Sequence, residues 1–320
     1  MLINVEQVYE SPTIYKIYVP LTGNALKNLN CYVLIDQGES LVIDTGFNNH
    51  ECRDALLGGL AELGVSPEHT RLFITHLHSD HCGLAEYFDH PDTTIYMGEK
   101  EYQTLQDSFS GKVFADLNKR LLSEGFPEEE LQAANANNPA RVFMPSYPFP
   151  VTFVQDREEL QVGSVTLRVM LMPGHTPGQM ILYMPSEKLM FTADHVLFDI
   201  TPNITTWPNM RNSLGAYMES LEKVLACDVE TAFPGHRNMS NKTLAQRIDE
   251  IKRHHERRLN EIREVLRRNP STNAYDVASH LTWSLHGATW DTAPKQQKWF
   301  AVGETMAHLD YMRYSLHEID

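Results

Sequence analysis

Over the first 45 residues the apolar positions fall in short runs at 13–20, 31–36 and 40–44, rich in Val, Ile, Leu and Tyr and separated by Gly23, Asn24, Gln37 and Gly38. Such runs bounded by turn formers predict antiparallel strands. The period then changes. Ala55, Leu56, Leu60 and Leu63 recur at helical spacing within 49–63 and stop at Gly64, which predicts a helix. A strand at 71–75, a polar loop at 76–81, a short helix and a strand near 93–97 follow.

Residues 98–138 read as polar helix and end in Asn135-Ala136-Asn137-Asn138-Pro139, after which Pro145, Pro148 and Pro150 favour an extended connector. The stretch 98–150 is therefore expected to be a helical insertion. Strands return at 151–155, 165–172, 180–184, 189–193 and 229–233, with a helix near 213–226. From about 240 to 268, Leu244, Ile248, Ile251, Leu259, Ile262 and Leu266 punctuate a charged helix that ends at Asn269-Pro270. An N-capped short helix over Ser271–Leu281 and another over Phe300–Leu316 follow, with Trp283, Trp290 and Trp299 as tail core. Two sheet-and-helix halves followed by helices alone predict an α+β chain. A catalytic unit would occupy 1–240 and a helical region 241–320. No internal repeat is evident.

Composition adds limits. Of 320 residues, 42% are hydrophobic and 22% charged, as in ordinary folded proteins. Met1-Leu2-Ile3-Asn4-Val5-Glu6 opens without a basic segment, and no run approaches the roughly 18 apolar residues of a membrane span. A cytoplasmic protein with no membrane partner is expected. Cys31, Cys52, Cys82 and Cys227 form no CxxC pair and read as thiols. A net charge of −15 disfavours a surface that attracts phosphate backbones everywhere. Residues 237–270, however, hold ten Lys/Arg against five Asp/Glu, so one local basic face is compatible with the rest being acidic.

The chemistry concentrates in Thr75-His76-Leu77-His78-Ser79-Asp80-His81, directly after the strand Arg71–Thr75. Three imidazoles and a carboxylate at this density suit Zn²⁺, and also Fe or Mn. Their alternation lets His76 and His78 point to one centre and Asp80 and His81 to another, so two divalent ions are the natural reading. Three more ligand types stand at the carboxyl ends of predicted strands: His175 in Pro173-Gly174-His175-Thr176-Pro177-Gly178, Asp194 in Thr192-Ala193-Asp194-His195, and His236 in Pro234-Gly235-His236. Glycines beside two of these histidines permit the tight backbone that turns a side chain inward.

An HxHxDH motif followed at long range by His, Asp and His resembles the metallo-β-lactamase superfamily over about residues 13–240. The resemblance implies an αββα sandwich with its site at one edge. It implies that His76, His78 and His175 hold one ion, that Asp80, His81 and His236 hold the other, and that Asp194 bridges them. Asp44, in Ile43-Asp44-Thr45-Gly46, would orient a ligand imidazole from behind. His195 would be packed against the ligands or touch substrate. Asn273-Ala274-Tyr275-Asp276-Val277-Ala278 and Gly303–Tyr311 resemble the winged-helix-like tail of glyoxalase-II-like and endoribonuclease-like members. The chain stops at Asp320, close to where a wing hairpin is expected, so a complete wing is not anticipated.

Departures narrow the choice. Drug-inactivating β-lactamases typically lack the bridging Asp and often carry Cys at the second ion, whereas Asp194 is present here. Flavodiiron members have Glu where this chain has His78. Homoserine-lactone hydrolases usually place Tyr three residues after the bridging Asp, where this chain has Leu197. The expected activity is hydrolysis of a small thioester, ester or lactone by a hydroxide shared between two ions, with Asp80 orienting it or accepting its proton. Leu197, the insertion and the 201–207 segment with Trp207 would shape the pocket. Single-stranded RNA cleavage is the alternative, supported by the basic helix and the tail and opposed by the acidic remainder. The tail also suits a homodimer contact or a pocket wall.

Overall fold

The computed structural model describes residues 4–136, 138–239, 241–270, 272–285 and 287–319. One sheet runs in the order β1 (Val5–Tyr9), β2 (Thr13–Leu21), β3 (Lys27–Asp36), β4 (Glu39–Ile43), β5 (Arg71–Phe73), β6 (Ile95–Gly98), β7 (Thr152–Val154). Its first four strands pair antiparallel, and β4 to β7 pair parallel. The second sheet holds β8 (Glu159–Val162), β9 (Val165–Leu171), β10 (Met180–Met184), β11 (Leu189–Ala193) and β12 (Thr231–Pro234), with only β11 and β12 parallel.

Helices α1 (His50–Glu62), α2 (Ser79–Cys82), α3 (Glu99–Phe109), α4 (Lys112–Ser123), α5 (Glu128–Ala136) and α6 (Pro139–Val142) lie within the first half of the chain. The second half adds α7 (Ser213–Leu225), α8 (Leu244–Arg268), α9 (Ala274–Ser279) and α10 (Lys295–Tyr311), the last continued by a π-helical turn over Met312–Leu316. Among the described residues no helix is long and apolar enough to cross a membrane.

The central strands read as unbroken apolar runs because both of their faces are covered. In β3, Cys31 and Val33 pack with Leu56 and Leu60 of α1, while Tyr32 and Leu34 face the second sheet. In β10, Leu182 joins the inter-sheet core, and Ile181 and Tyr183 pack under Leu214 and Leu221 of α7 and Ile248 of α8. The layers are helix, sheet, sheet, helix. Tyr32, Phe191 and Phe233 meet between the sheets with centroids 5.1 to 5.4 Å apart, each pair adding about 1 kcal/mol beyond area burial.

The insertion and the tail form one further helical cluster. Leu117, Leu121, Phe126 and Leu131 of the insertion pack with Ala274, Ala278, Trp299, Val302 and Met306 of the tail. Arg120 reaches both carboxylate oxygens of Asp310 at 2.7 and 2.6 Å, and Lys298 lies 3.1 Å from Glu130. The same cluster grips the segment after Asp194, since Arg120 also bonds Thr206 and a Cβ on Gly303 would strike Thr205.

Several boundaries differ from the sequence reading. β1 and β8 were not expected, and β3 starts at Lys27 rather than 31. Helix α9 starts at Ala274, capped by Asn273, whose Oδ1 accepts from Asp276 N at 2.9 Å, rather than at Ser271, which lies outside the described residues. Asn137 of the Asn-rich stretch also lies outside them. Helix α10 begins at Lys295 rather than Phe300. Among the described residues no strand follows β12, so the tail is helical and carries no wing hairpin.

Candidate metal centre

The carboxyl ends of β5, β11 and β12 meet at one edge of the sandwich with the loop between β9 and β10. Phe73 ends β5, and the chain then presents His76 and His78 on a loop and Asp80 and His81 on α2. The β9–β10 loop brings His175, while Asp194 follows β11 and His236 follows β12. All seven residues converge. His76, His78 and His175 form one set, His76, His81 and Asp194 a second, and Asp80, His81 and His236 a third, with ligand atoms in each set within 4.8 Å of one another.

The imidazoles turn nitrogens toward each other. His76 Nε2 and His175 Nε2 each lie 3.1 Å from His78 Nδ1, and His81 Nε2 lies 3.2 Å from His236 Nε2. The carboxylates complete the inner surface. Asp194 Oδ2 stands 3.6 Å from His175 Nε2, whereas its Oδ1 stands 3.4 Å from His81 Nε2 and 3.2 Å from His236 Nε2. Asp80 Oδ2 is 3.4 Å from His236 Nε2. Gly235 permits this approach, because a Cβ there would lie 2.7 Å from Asp194 Oδ1.

The opposite ring nitrogens fix which way each lone pair points. Asp44 accepts Thr75 N and Thr75 Oγ1 at 2.8 Å and His81 Nδ1 at 2.7 Å. The Thr75 hydroxyl proton is thereby committed to Asp44, so Thr75 Oγ1 accepts from His76 Nδ1 at 2.9 Å. His175 Nδ1 donates to the Asn203 carbonyl at 2.9 Å and His236 Nδ1 to the Asn28 carbonyl at 2.7 Å. Four imidazoles thus give their outer proton to an oxygen and turn the other nitrogen inward, the arrangement of metal-binding histidine. Asp44 and Ala193 take φ of +62° and +44°, a region non-glycine residues rarely occupy and one that clusters at functional sites.

Charge divides the cluster. Burial and neighbouring imidazoles pull His76 and His78 well below the usual histidine range, and burial also lowers His175. Burial opposes protonation of His81 too, but Asp44, Asp194 and Asp80 carry it well above that range, and Asp194 and Asp80 raise His236 likewise. Asp194 is held well below the usual carboxylate range, burial being outweighed by His236 and His81. Neutral imidazoles at His76, His78 and His175, with carboxylates drawing positive charge to His81 and His236, form a donor set in which divalent cations would take the place of those protons.

Trp207 lies against this set. Its ring stacks on His78 at 5.9 Å and its Nε1 donates to the His175 carbonyl at 3.0 Å. Leu197 is buried, and its carbonyl accepts from Arg247 Nε at 2.6 Å. His195 is buried outside the three ligand sets, with its ring on Tyr217 at 5.1 Å and burial driving its pKa down to about 3. Cys82 is a buried thiol donating to the Leu77 carbonyl. A cavity of about 260 Å³ flanks α8, lined by Thr201, Arg247, Glu250, Arg253, His254 and Arg257. None of the seven residues lines it, and Arg247, Arg253 and Arg257 make its walls largely cationic.

Sequence reasoning missed Glu101, a fully buried acid between the two loops that carry His76, His78 and His175. It also missed the carbonyls of Asn28 and Asn203. No residue type announces a backbone acceptor, and nothing distinguished Glu101 among 42 Asp and Glu.

Comparison with known proteins agrees with this geometry. Residues 26–236 match the metallo-beta-lactamase superfamily. A probable metallo-hydrolase, YqjP, from Bacillus subtilis is 26% identical over 294 residues, covering 88% of this chain and 86% of that protein. An atrochrysone carboxyl ACP thioesterase from Emericella nidulans is 26% identical over 235 residues, covering 73% of this chain, which spans only 58% of that relative's length. Among solved structures, a metallo-beta-lactamase family protein from Thermus thermophilus superposes with a TM-score of 0.74 at 28% identity, covering 94% of this chain and 93% of that one. A fold that implies divalent metal ions, a clustered His and Asp donor set and a match over 26–236 lead to one conclusion: the chain belongs to the metallo-β-lactamase superfamily.

Proposed function

We propose that the chain is a dinuclear hydrolase of a small thioester, ester or lactone, with His76, His78 and His175 at one ion, Asp80, His81 and His236 at the other, and Asp194 shared. The division of Asp194 carries this reading, since Oδ2 faces His175 while Oδ1 faces His81 and His236. Bound there, two divalent ions supply an activated water and a polarised carbonyl. Zn²⁺ suits the nitrogen-rich set, with Fe and Mn also compatible.

The chain's own residues prepare that chemistry. Asp44 and Thr75 hold His81 and His76 in one tautomer. Asp80 adds a carboxylate beside His236 that suits proton acceptance from the attacking water. Trp207 walls the His78 side with an apolar ring that limits water. Residues 1–240 act as the catalytic unit. The helices of 241–320 join the 98–150 insertion to hold the 201–207 segment, which with Leu197 sets selectivity. The thioesterase name of the Emericella relative supports acyl chemistry, and four free cysteines suit the cytoplasm.

RNA cleavage has less support, because α8 pairs most of its cations with carboxylates of this chain. Arg247 pairs with Glu250, Arg253 with Asp249, Arg258 with Glu304, Arg263 with Glu318 and Arg267 with Glu264. The test is turnover by metal-loaded and chelator-treated protein on thioesters, lactones and short RNAs. Metal-restored cleavage of an acyl substrate with no salt-sensitive RNA binding is expected; RNA cleavage alone would replace this reading with the nuclease.

A further inference from the structure

The His76–His78 loop and the His175 loop come from different sheets, and backbone contact between them is sparse: Met180 N donates to the Thr75 carbonyl at 2.9 Å. Glu101, in the first turn of α3, lies between them with no exposed surface. Its Oε1 accepts the amide of Leu77 at 3.0 Å, the residue between His76 and His78. Its Oε2 accepts the amide of Gly178 at 2.6 Å, three residues after His175. The fit is close: a Cβ at Gly178 would lie 2.9 Å from Glu101 N and 3.0 Å from Oε2.

We infer that Glu101 is a positioning residue for one half of the metal centre, its two carboxylate oxygens fixing the spacing of His76 and His78 against His175. This rests on the dinuclear reading and deepens it. Asp80, His81 and His236 share no hydrogen bond with Glu101, so the second half does not depend on it. A carboxylate is required because both amides need an acceptor. Glutamine of the same shape offers one oxygen and turns an NH₂ toward the other amide. Burial lifts the Glu101 carboxyl to about 7, a stability cost that an apolar filler would not carry.

The test is metal affinity rather than turnover. Metal-free full-length protein, wild type and Glu101→Gln, is titrated with Zn²⁺ against a chromophoric chelator, and folding is checked by thermal denaturation. One equivalent is expected to weaken about 10-fold or more in the variant, the scale on which supports behind a ligand act, with the other equivalent unchanged. Double-mutant cycles assign the half. Glu101→Gln should add little to His175→Ala and should add fully to His236→Ala. Equal weakening of both equivalents, or none, overturns the inference, as does full additivity with His175→Ala. If wild type binds a single equivalent, the dinuclear reading fails separately. The cycle with His175→Ala then still decides the role of Glu101 at that ion.

Discussion

Two groups of buried histidine sit in this molecule, one at the strand ends and one between α8 and α10, and they differ in what their inner ring nitrogens face. At the strand ends, outer nitrogens donate away and the inner nitrogens converge with Asp80 and Asp194 on a common interior. Between the helices, His308 Nδ1 donates to the Glu304 carbonyl at 2.7 Å, so His308 Nε2 accepts from His255 Nδ1 at 3.1 Å. The bonds form a line, and the nearby Glu304 carboxylate faces Arg258 and His254. The first group gathers five ring nitrogens and two carboxylates around a space that cations fit, whereas the second pairs one ring with the next. Histidine count and burial do not separate a ligand set from packing; the convergence of inner ring nitrogens with carboxylates does.

The comparison is easiest to break with Asp194→Ala, which should reduce metal content and take turnover to background, while His308→Gln leaves metal content unchanged. Equal metal loss in both would erase the distinction. The next largest effect is on stability in acid. Burial holds His308 down at about 4 despite Glu304, against an unfolded value near 6.5. The unfolded chain therefore binds more protons between those values, so stability falls as pH drops from about 6.5 to 4, by about 3 kcal/mol from this group. Chemical denaturation at pH 7 and 4.5 should show that loss in wild type and a smaller one in His308→Gln. An identical loss in the variant would remove His308 as its source.

A sharper contrast comes from Asp44→Asn, which keeps the shape but weakens the acceptor behind His81. Metal affinity should fall about 10- to 100-fold, read by competition with a chelator, and an unchanged affinity would mean that His81 is oriented by packing alone. Smallest is Trp207→Ala, expected to change the ratio of kcat/KM between large and small acyl groups by roughly 10-fold with metal content intact. An unchanged ratio would place selectivity elsewhere.

Much of this was legible in the sequence because the informative residues announce themselves. An HxHxDH run after an apolar strand and three later ligand types at strand ends located all seven converging residues, and the resemblance they carry set the layer order. What escaped has physical reasons. β8 alternates Glu159, Leu160, Gln161 and Val162, too short and polar to stand out. The first residues of β3, Lys27-Asn28-Leu29-Asn30, escape the strand pattern because they are mostly polar, yet Asn28 and Asn30 are buried as hydrogen-bonding groups. Asn30 Nδ2 donates to the Pro234 carbonyl, beside His236, at 2.9 Å. The joining of the insertion to the tail depends on contacts between residues such as Arg120 and Asp310, 190 positions apart, which no local pattern reveals. Glu101 escaped because its role lies in the two amides it accepts.

The most direct measurement is elemental analysis of metal bound to the purified full chain and to its Asp194→Ala variant after loading with Zn²⁺ and removal of excess. The account predicts close to two ions per chain in the wild type and a clear reduction in the variant. Fewer than one ion in the wild type, or an unchanged count when Asp194 is removed, would contradict a dinuclear centre shared through that carboxylate.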